Sequence, residues 1–184
     1  MSNPVGWGVI GASSYVATRA VMPAIAASNT SVLAALASAS PRRGAWELGL
    51  RFGAINAYDR YEDVLNDPAV ECVYIPLPNG LHAKWTLRAA AAGKHVLCEK
   101  PLAPDAAVAM MMAEACGHAG VTLMEAYMSP FHPRALALDQ FVAADHLGDF
   151  RSGWATFTFR LRDPANHRWQ PDLGGGALLD IGLY

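Results

Sequence analysis

Short apolar runs alternate with stretches of helical spacing through roughly the first 125 residues of the chain. Strands connected by helices pair in parallel, because each crossover helix returns the chain to the same edge of the sheet. The alternation predicts an α/β fold with a doubly wound parallel sheet, in which ligands bind where the strands end. The predicted strands are 5–10, 31–38, 71–75, 96–98 and 121–124.

The helices between these strands have recognisable ends. Ser40 and Pro41 are residue types preferred at a helix start, so one helix is predicted to begin there. Asn79 is predicted to cap a helix over 80–92 that Gly93 terminates. The other predicted helices are 15–28, which contains Pro23, a short helix from 58, and 105–118.

Composition excludes several classes of protein. The formal charge of −2 comes from scattered signs and leaves no basic surface for nucleic acid, and the apolar runs are too short to span a bilayer. We expect neither a secretion signal nor a metal site, because no basic-to-apolar leader and no Cys/His cluster occurs. Cys72, Cys98 and Cys116 lack a CxxC pair and predict reduced thiols in a cytoplasmic protein.

The predicted strand 96–98 ends in Glu99-Lys100-Pro101. A residue before proline is kept out of the helical region, so Lys100 should project from the carboxyl end of the strand. A charged pair at that position is a candidate site, although a solvated ion pair would give the same pattern.

The turn Gly11-Ala12-Ser13-Ser14 follows the first strand and is the candidate pyrophosphate site. A formal G-x-G-x-x-G match from Gly6 lies inside the strand, where no phosphate turn can form. Only the first glycine of the fingerprint is present in the turn itself, so an ordinary strand–helix turn is the alternative.

The second predicted strand ends at Ser38 without the acidic residue that usually binds the ribose hydroxyl of NAD. Arg42 and Arg43 follow, and two arginines in the first helical turn oppose the positive end of the helix dipole, which a bound phosphate would relieve. This favours NADP over NAD, which remains the alternative cofactor, and the other interpretation is that both arginines are solvated.

A loop containing Pro76 and Asn79 ends the third predicted strand, and His82 lies just after it. His82 is a capping or packing residue unless this loop faces a ligand. In a parallel sheet, the Gly11 turn, this loop, Lys100 and Glu125 should converge on one crevice.

Two motifs are specific: Glu99-Lys100-Pro101 directly after a strand, and three glycines that lead into Asp180. In these and other stretches the chain resembles the glucose-fructose oxidoreductase and inositol dehydrogenase family (Gfo/Idh/MocA) of nicotinamide-dependent enzymes. The matching stretches are 7–12, 74–79, 81–82, 93–101, 124–128 and 173–184. The first turn departs from the family pattern by one added residue near Ser14.

The resemblance implies a Rossmann domain over 1–126 and the start of an incomplete α+β substrate domain over 127–184. It also implies hydride transfer between NAD(P) and a hydroxyl or carbonyl of a sugar, polyol or cyclic diol. Lys100 and Tyr184 would act together in transfer of the substrate hydroxyl proton, and Asp180 would lie beside the substrate. Cofactor contacts would include Asn79, His82 and Glu99.

The second part is predicted to hold a connecting helix, 131–147, and a long strand, 150–162, with one apolar face. A helix near Gly176 places Asp180 and Tyr184 four residues apart, hence on one face, and the glycines before it would admit a ligand close to the backbone.

No later strand follows, so we expect a fragment or truncated product, or a gene-model artefact. An inactive nucleotide-binding or partner-binding module is the alternative function, and homo-oligomers would form through the missing sheet.

Overall fold

The structure, a computed structural model, describes residues 3–40, 44–149 and 151–184. Six parallel strands form one sheet in the order β3-β2-β1-β4-β5-β6. This order confirms the predicted doubly wound parallel sheet. The strands are β1 (Val5–Ile10), β2 (Ser31–Ala37), β3 (Asn56–Tyr58), β4 (Cys72–Ile75), β5 (His95–Glu99) and β6 (Leu123–Ala126).

Helices cover both faces of the sheet. Met22 of α1 and Leu48 of α2 bury apolar side chains on one face, and Val64 of α3 and Trp85 of α4 do so on the other. Both faces of the central strands are therefore buried from solvent, which explains their near-continuous apolar sequences. The helices are α1 (Met22–Ala27), α2 (Ala45–Phe52), α3 (Tyr61–Asn66), α4 (His82–Ala91), α5 (Ala106–His118), α6 (Pro133–Ala143) and α7 (Ala177–Ile181).

A π-helical segment, Ala17–Val21, leads into α1. Its hydrogen bonds span five residues rather than four, so it accommodates one more residue than an α-turn does. It also ends before Pro23, which has no N–H to donate to the helix. The predicted helix over 15–28 therefore forms with a local irregularity.

Two predicted helix starts were wrong. The helix expected from Ser40 begins at Ala45 with Gly44 as its N-cap, while Pro41 lies outside the described residues. The helix expected from Gly80 begins at His82 after a 3₁₀ turn, Asn79–Leu81. In both places a favourable capping residue was present, but its side chain does not cap the helix.

Two strands also differ from expectation. The three-residue β3 was not predicted, because so short a strand shows no alternation. β6 begins at Leu123 rather than Val121 and includes Glu125.

Residues 151–163 form no regular secondary structure, although a strand over 150–162 was predicted. Trp154 is 94% exposed, and Phe157 and Phe159 are about half exposed. A strand requires a hydrogen-bonding neighbour, and the described residues provide none there. The connecting helix was predicted correctly but is shorter, as α6. Phe150 lies outside the described residues.

Replacing Gly6 of β1 with alanine should destabilise the fold, because the new Cβ would lie 1.9 Å from the carbonyl oxygen of Ala69. That oxygen belongs to the backbone of the loop before β4 and cannot move alone. We expect the free energy of unfolding, measured by urea denaturation with circular dichroism, to fall by roughly 1–3 kcal/mol.

Gly117→Ala is the matched control, because a Cβ in this part of α5 would meet nothing within 4 Å. It should raise the free energy of unfolding by up to about 1 kcal/mol. Equal stabilities of the two variants would contradict the packing described for β1.

Candidate functional site

The crevice lies where β1 and β4, neighbours in the sheet, end. The chain leaves β1 toward β2 and leaves β4 toward β5, so the two connections diverge and open a gap. A cavity of about 640 Å³ occupies this gap. Of the predicted site residues, those that line it are Gly11, Ser13, Ser14, Pro76, Asn79, Glu99, Lys100, Asp180 and Tyr184.

Gly11 begins the turn after β1 with a φ of +87°. A Cβ there would lie 2.6 Å from the Leu77 side chain, so the turn requires glycine for both its conformation and its packing. The N–H groups of Gly11 and Ala12 both donate to the carbonyl oxygen of Ala37 at 3.0 Å. These two N–H groups are therefore not free to bind a phosphate, and the Ala12 side chain is wholly buried.

The next part of the turn remains open to an anion. Ser14 N–H donates back to Gly11 at 3.0 Å, and the Ser14 hydroxyl accepts from Ala17 N–H at 3.1 Å. Within the described part of the chain, the N–H groups of Ser13, Tyr15 and Val16 have no protein acceptor. These groups at the helix start are the ones suited to a pyrophosphate.

His82 connects two loops from beneath the crevice and does not line it. The side chain is wholly buried, with Nδ1 2.8 Å from the Pro101 carbonyl oxygen and Nε2 2.8 Å from that of Leu77. Carbonyl oxygens only accept, so both contacts are hydrogen bonds only when both ring nitrogens carry protons. The packing role of His82, rather than a direct cofactor contact, is what the geometry supports.

Asn79 was expected to cap a helix, but its side chain makes a longer-range contact. The amide donates to the carbonyl oxygen of Gly174 at 2.9 Å, and no side-chain cap forms. This bond joins the loop after β4 to the segment that carries Asp180.

Lys100 lies at the carboxyl end of β5 and contacts Asp180. Its Nζ donates to Asp180 Oδ1 at 3.1 Å and to the carbonyl oxygen of the same residue. Arg168 donates from Nε to the other carboxylate oxygen at 2.5 Å. The two bases hold one largely buried carboxylate between them.

The pKa of Asp180 reflects this pairing. Burial alone would raise it, but the hydrogen bonds and positive charges of Arg168 and Lys100 outweigh burial and hold the pKa below its ordinary range. Asp180 is therefore a fixed negative charge at neutral pH.

Tyr184 lies beyond the end of α7, so helical spacing is not what brings it to Asp180. Its ring lies 5.0 Å from Lys100 Nζ and contacts the rings of Tyr127 and Phe157. Burial, followed by the charge of Glu99, raises the pKa of the Tyr184 hydroxyl. The Lys100 ammonium group lies over the face of the ring and is not among the causes of this pKa shift.

Ser38 and Glu125, two further predicted cofactor residues that the structure describes, lie apart from the crevice lining. Ser38 is buried at the end of β2, where its hydroxyl accepts from Ser40 N–H at 3.2 Å. Glu125 accepts from Leu102 N–H at 2.8 Å and so supports the turn after Lys100. Arg42 and Arg43 lie outside the described residues.

Sequence reasoning missed Arg168 and the part that the following glycines play in placing it. Gly175 N–H donates to Gln170 and Gly176 N–H donates to Arg168, both at 3.0 Å. A Cβ on Gly175 would lie 2.6 Å from the Arg168 carbonyl oxygen. Gly175 and Gly176 thus fold the chain back on itself. The only hint was an arginine shortly before a glycine run that leads to an aspartate.

The described residues contain no group of three His, Cys, Asp or Glu side chains placed to hold a metal ion. No helix among them has the length and apolar character needed to cross a membrane.

The pairing of Asp180 should make stability depend on pH. Because its pKa is lowered in the folded state, its contribution is complete above the ordinary carboxyl pKa of about 3.9 and is lost as the pH falls below it. We expect wild type to exceed Asp180→Asn in free energy of unfolding at pH 7, with the difference shrinking toward pH 3.

Asp149→Asn is the control, because Asp149 pairs with Arg151 in full solvent exposure. It should change stability little at either pH. A difference for Asp180→Asn that does not vary between pH 7 and pH 3 would contradict the ionised pairing.

Comparison with known proteins adds to this geometry. Residues 5–127 match the family model for the oxidoreductase family with an NAD-binding Rossmann fold (Gfo/Idh/MocA). A D-xylose 1-dehydrogenase (NADP(+)) from Haloferax volcanii is 42% identical over 97% of the chain and 54% of its own length. A trans-1,2-dihydrobenzene-1,2-diol dehydrogenase from Mus musculus is 36% identical over 97% of the chain and 53% of its own length.

A solved structure is also similar. KijD10, a 3-ketoreductase from Actinomadura kijaniata in complex with NADP and TDP-benzene, superposes with a TM-score of 0.92 at 39% identity. The match covers 99% of the chain and 55% of KijD10. The chain thus spans about half the length of the relatives it matches. By the family match and these identities, the chain belongs to the Gfo/Idh/MocA oxidoreductase family.

Proposed function

We propose that the chain forms the nucleotide-binding half of an oxidoreductase that transfers hydride between NADP and a CH–OH or carbonyl group of a sugar, polyol or cyclic diol. The observation that carries the proposal is the meeting of Lys100, Asp180 and Tyr184 at the carboxyl ends of β4 and β5. An ammonium group, a fixed carboxylate and a phenol in one crevice suit proton transfer at a substrate oxygen.

NADP is the cofactor we propose, with NAD as the alternative. The crevice fits a dinucleotide, because it includes the turn after Gly11 with its open N–H groups and occupies the switch point of the sheet. No acidic residue follows β2 at Ser38. The relatives from Haloferax volcanii and Actinomadura kijaniata are named with NADP.

Each residue of the cluster has a role in this proposal. NADP, when bound, supplies or accepts the hydride. Lys100 donates a hydrogen bond to the substrate oxygen, and Asp180 holds Lys100 in place. The raised pKa of Tyr184 keeps its hydroxyl protonated, so this side chain is poised to donate a proton to an alkoxide during carbonyl reduction.

Three further proposals concern partners and location. The substrate is a small molecule, the chain self-associates, and it works in the cytoplasm. The half-exposed Phe157 and Phe159 support self-association. The three free cysteines support a reducing compartment.

Lys100→Met tests the function. Titration of NADPH fluorescence should show binding by wild type and by the variant with similar affinity, since Lys100 faces Asp180 rather than the turn after β1. Turnover is measured by NADPH absorbance with an aldose, a polyol and a cyclic diol, and it should be detectable only in wild type. We expect the turnover rate of the variant to be lower by about 10²-fold or more.

Lys84→Met is the control, because Lys84 is exposed on α4 and should leave both measurements unchanged. Binding without turnover of any of the three substrates in wild type would favour the alternative, an inactive nucleotide-binding module. Absence of NADPH binding in wild type would refute the proposal.

A further inference from the structure

Tyr74 and Glu99 lie on neighbouring strands and on the same face of the sheet. Tyr74 in β4 is paired with Leu97 in β5, and Glu99 lies two residues beyond Leu97. Side chains two apart along a strand share a face, and this diagonal is within reach of an aromatic side chain. The Tyr74 hydroxyl donates to Oε1 of Glu99 at 2.8 Å.

Both partners of this hydrogen bond are buried. Tyr74 is wholly inaccessible and packs in the core with Val9 and Leu36. Burial, followed by the charge of Glu99, raises the pKa of Tyr74 well above its ordinary value, so the hydroxyl remains a donor. Glu99 is 8% exposed, and its second oxygen lies 3.3 Å from the Lys100 backbone nitrogen.

Glu99 is oriented toward the crevice despite its burial. It lines the crevice, and it also lines an adjoining apolar hollow of about 470 Å³ that Trp7 and Met124 help to form. Among the described residues it is the only polar side chain common to the two linings. Its charge also contributes to the raised pKa of Tyr184, after burial.

The sheet order shows which part of a dinucleotide would lie near Glu99. In this fold the pyrophosphate binds at the end of β1 and the adenosine ribose at the end of β2. The nicotinamide half is then left for the side of β4 and β5, where Glu99 ends its strand. This step rests on the proposed function. The oxidised nicotinamide ring carries a positive charge, whereas the reduced ring is neutral.

We propose that Tyr74 is a positioning residue that holds the Glu99 carboxylate under the nicotinamide subsite, where its negative charge favours the oxidised cofactor over the reduced one. The pair therefore sets the relative affinity of the site for NADP⁺ and NADPH. A residue that only stabilised the fold would affect the two forms equally.

Tyr74→Phe tests the proposal without any substrate, because it removes the hydroxyl and keeps the ring in the core. The Kd values of NADP⁺ and NADPH are measured by calorimetry and by NADPH fluorescence on the full chain. We expect binding of NADP⁺ to weaken by about tenfold, with NADPH binding within about twofold of wild type. Glu99→Gln should shift the ratio in the same direction and at least as far.

The double variant Tyr74→Phe/Glu99→Gln should match Glu99→Gln alone, because the hydroxyl acts through the carboxylate. Tyr58→Phe is the matched control, since Tyr58 also donates to a carboxylate, Asp67 at 3.2 Å, but away from the crevice. It should leave the ratio of the two Kd values unchanged.

An unchanged ratio in Tyr74→Phe and Glu99→Gln would overturn this inference while leaving the proposed function intact, because both nucleotides would still bind. An equal loss of affinity for both forms in Tyr74→Phe would also overturn it, as a purely structural effect. Failure of wild type to bind either nucleotide would instead refute the proposed function, and this inference with it.

Discussion

The divergence of the chain at β1 and β4 is the constraint on which the rest of the structure depends. Two adjacent parallel strands whose connections run to opposite sides cannot be closed over at their carboxyl ends. The gap between them collects the turn after Gly11, the loop before α4 and the end of β5. The candidate site is therefore a consequence of strand order, and the side chains only decide what it binds.

Three residues before the final segment hold that segment against this gap. Asn79 donates to Gly174, Tyr127 donates to the Leu183 carbonyl oxygen at 2.7 Å, and Lys100 pairs with Asp180, which Arg168 also contacts. The ion pairs of a largely buried carboxylate are costly to break, since removal of either base leaves its negative charge poorly compensated. The same contacts that anchor the segment thus place its acid beside the lysine at the end of β5.

Local pattern predicted the elements with strong periodicity and missed those without it. Apolar runs located five of the six strands, and the helix predicted over 105–118 forms as α5 one residue later. Asp105 is its N-cap, and its carboxylate accepts from Val108 N–H at 2.9 Å. The short β3 was not predicted, because three residues are too few to show the alternation of apolar and polar residues. The capping preferences of Ser40 and Asn79 gave wrong helix starts. The Ser40 N–H donates to the Ser38 hydroxyl, and the Asn79 side chain donates to Gly174.

The candidate site was predictable to a similar extent. Lys100 follows from its place after a strand and before a proline, and the family resemblance supplied Asp180 and Tyr184. Arg168 did not follow, because its contact with Asp180 depends on the reversal at Gly174–Gly176. Nor could the sequence reveal that the N–H groups of Gly11 and Ala12 are already bonded to β2, or that His82 faces inward.

The sequence by itself determined the parallel α/β class, the edge of the sheet that bears the site and the family, because all three depend on hydrophobic period and short contiguous motifs. Only the tertiary structure decided which polar groups face the crevice and which are hydrogen-bonded within the protein. Tyr74 bonded to Glu99 and Arg168 bonded to Asp180 join residues 25 and 12 positions apart. Hydrogen bonds and charges act over a few ångströms in space, and only the folded chain sets those distances.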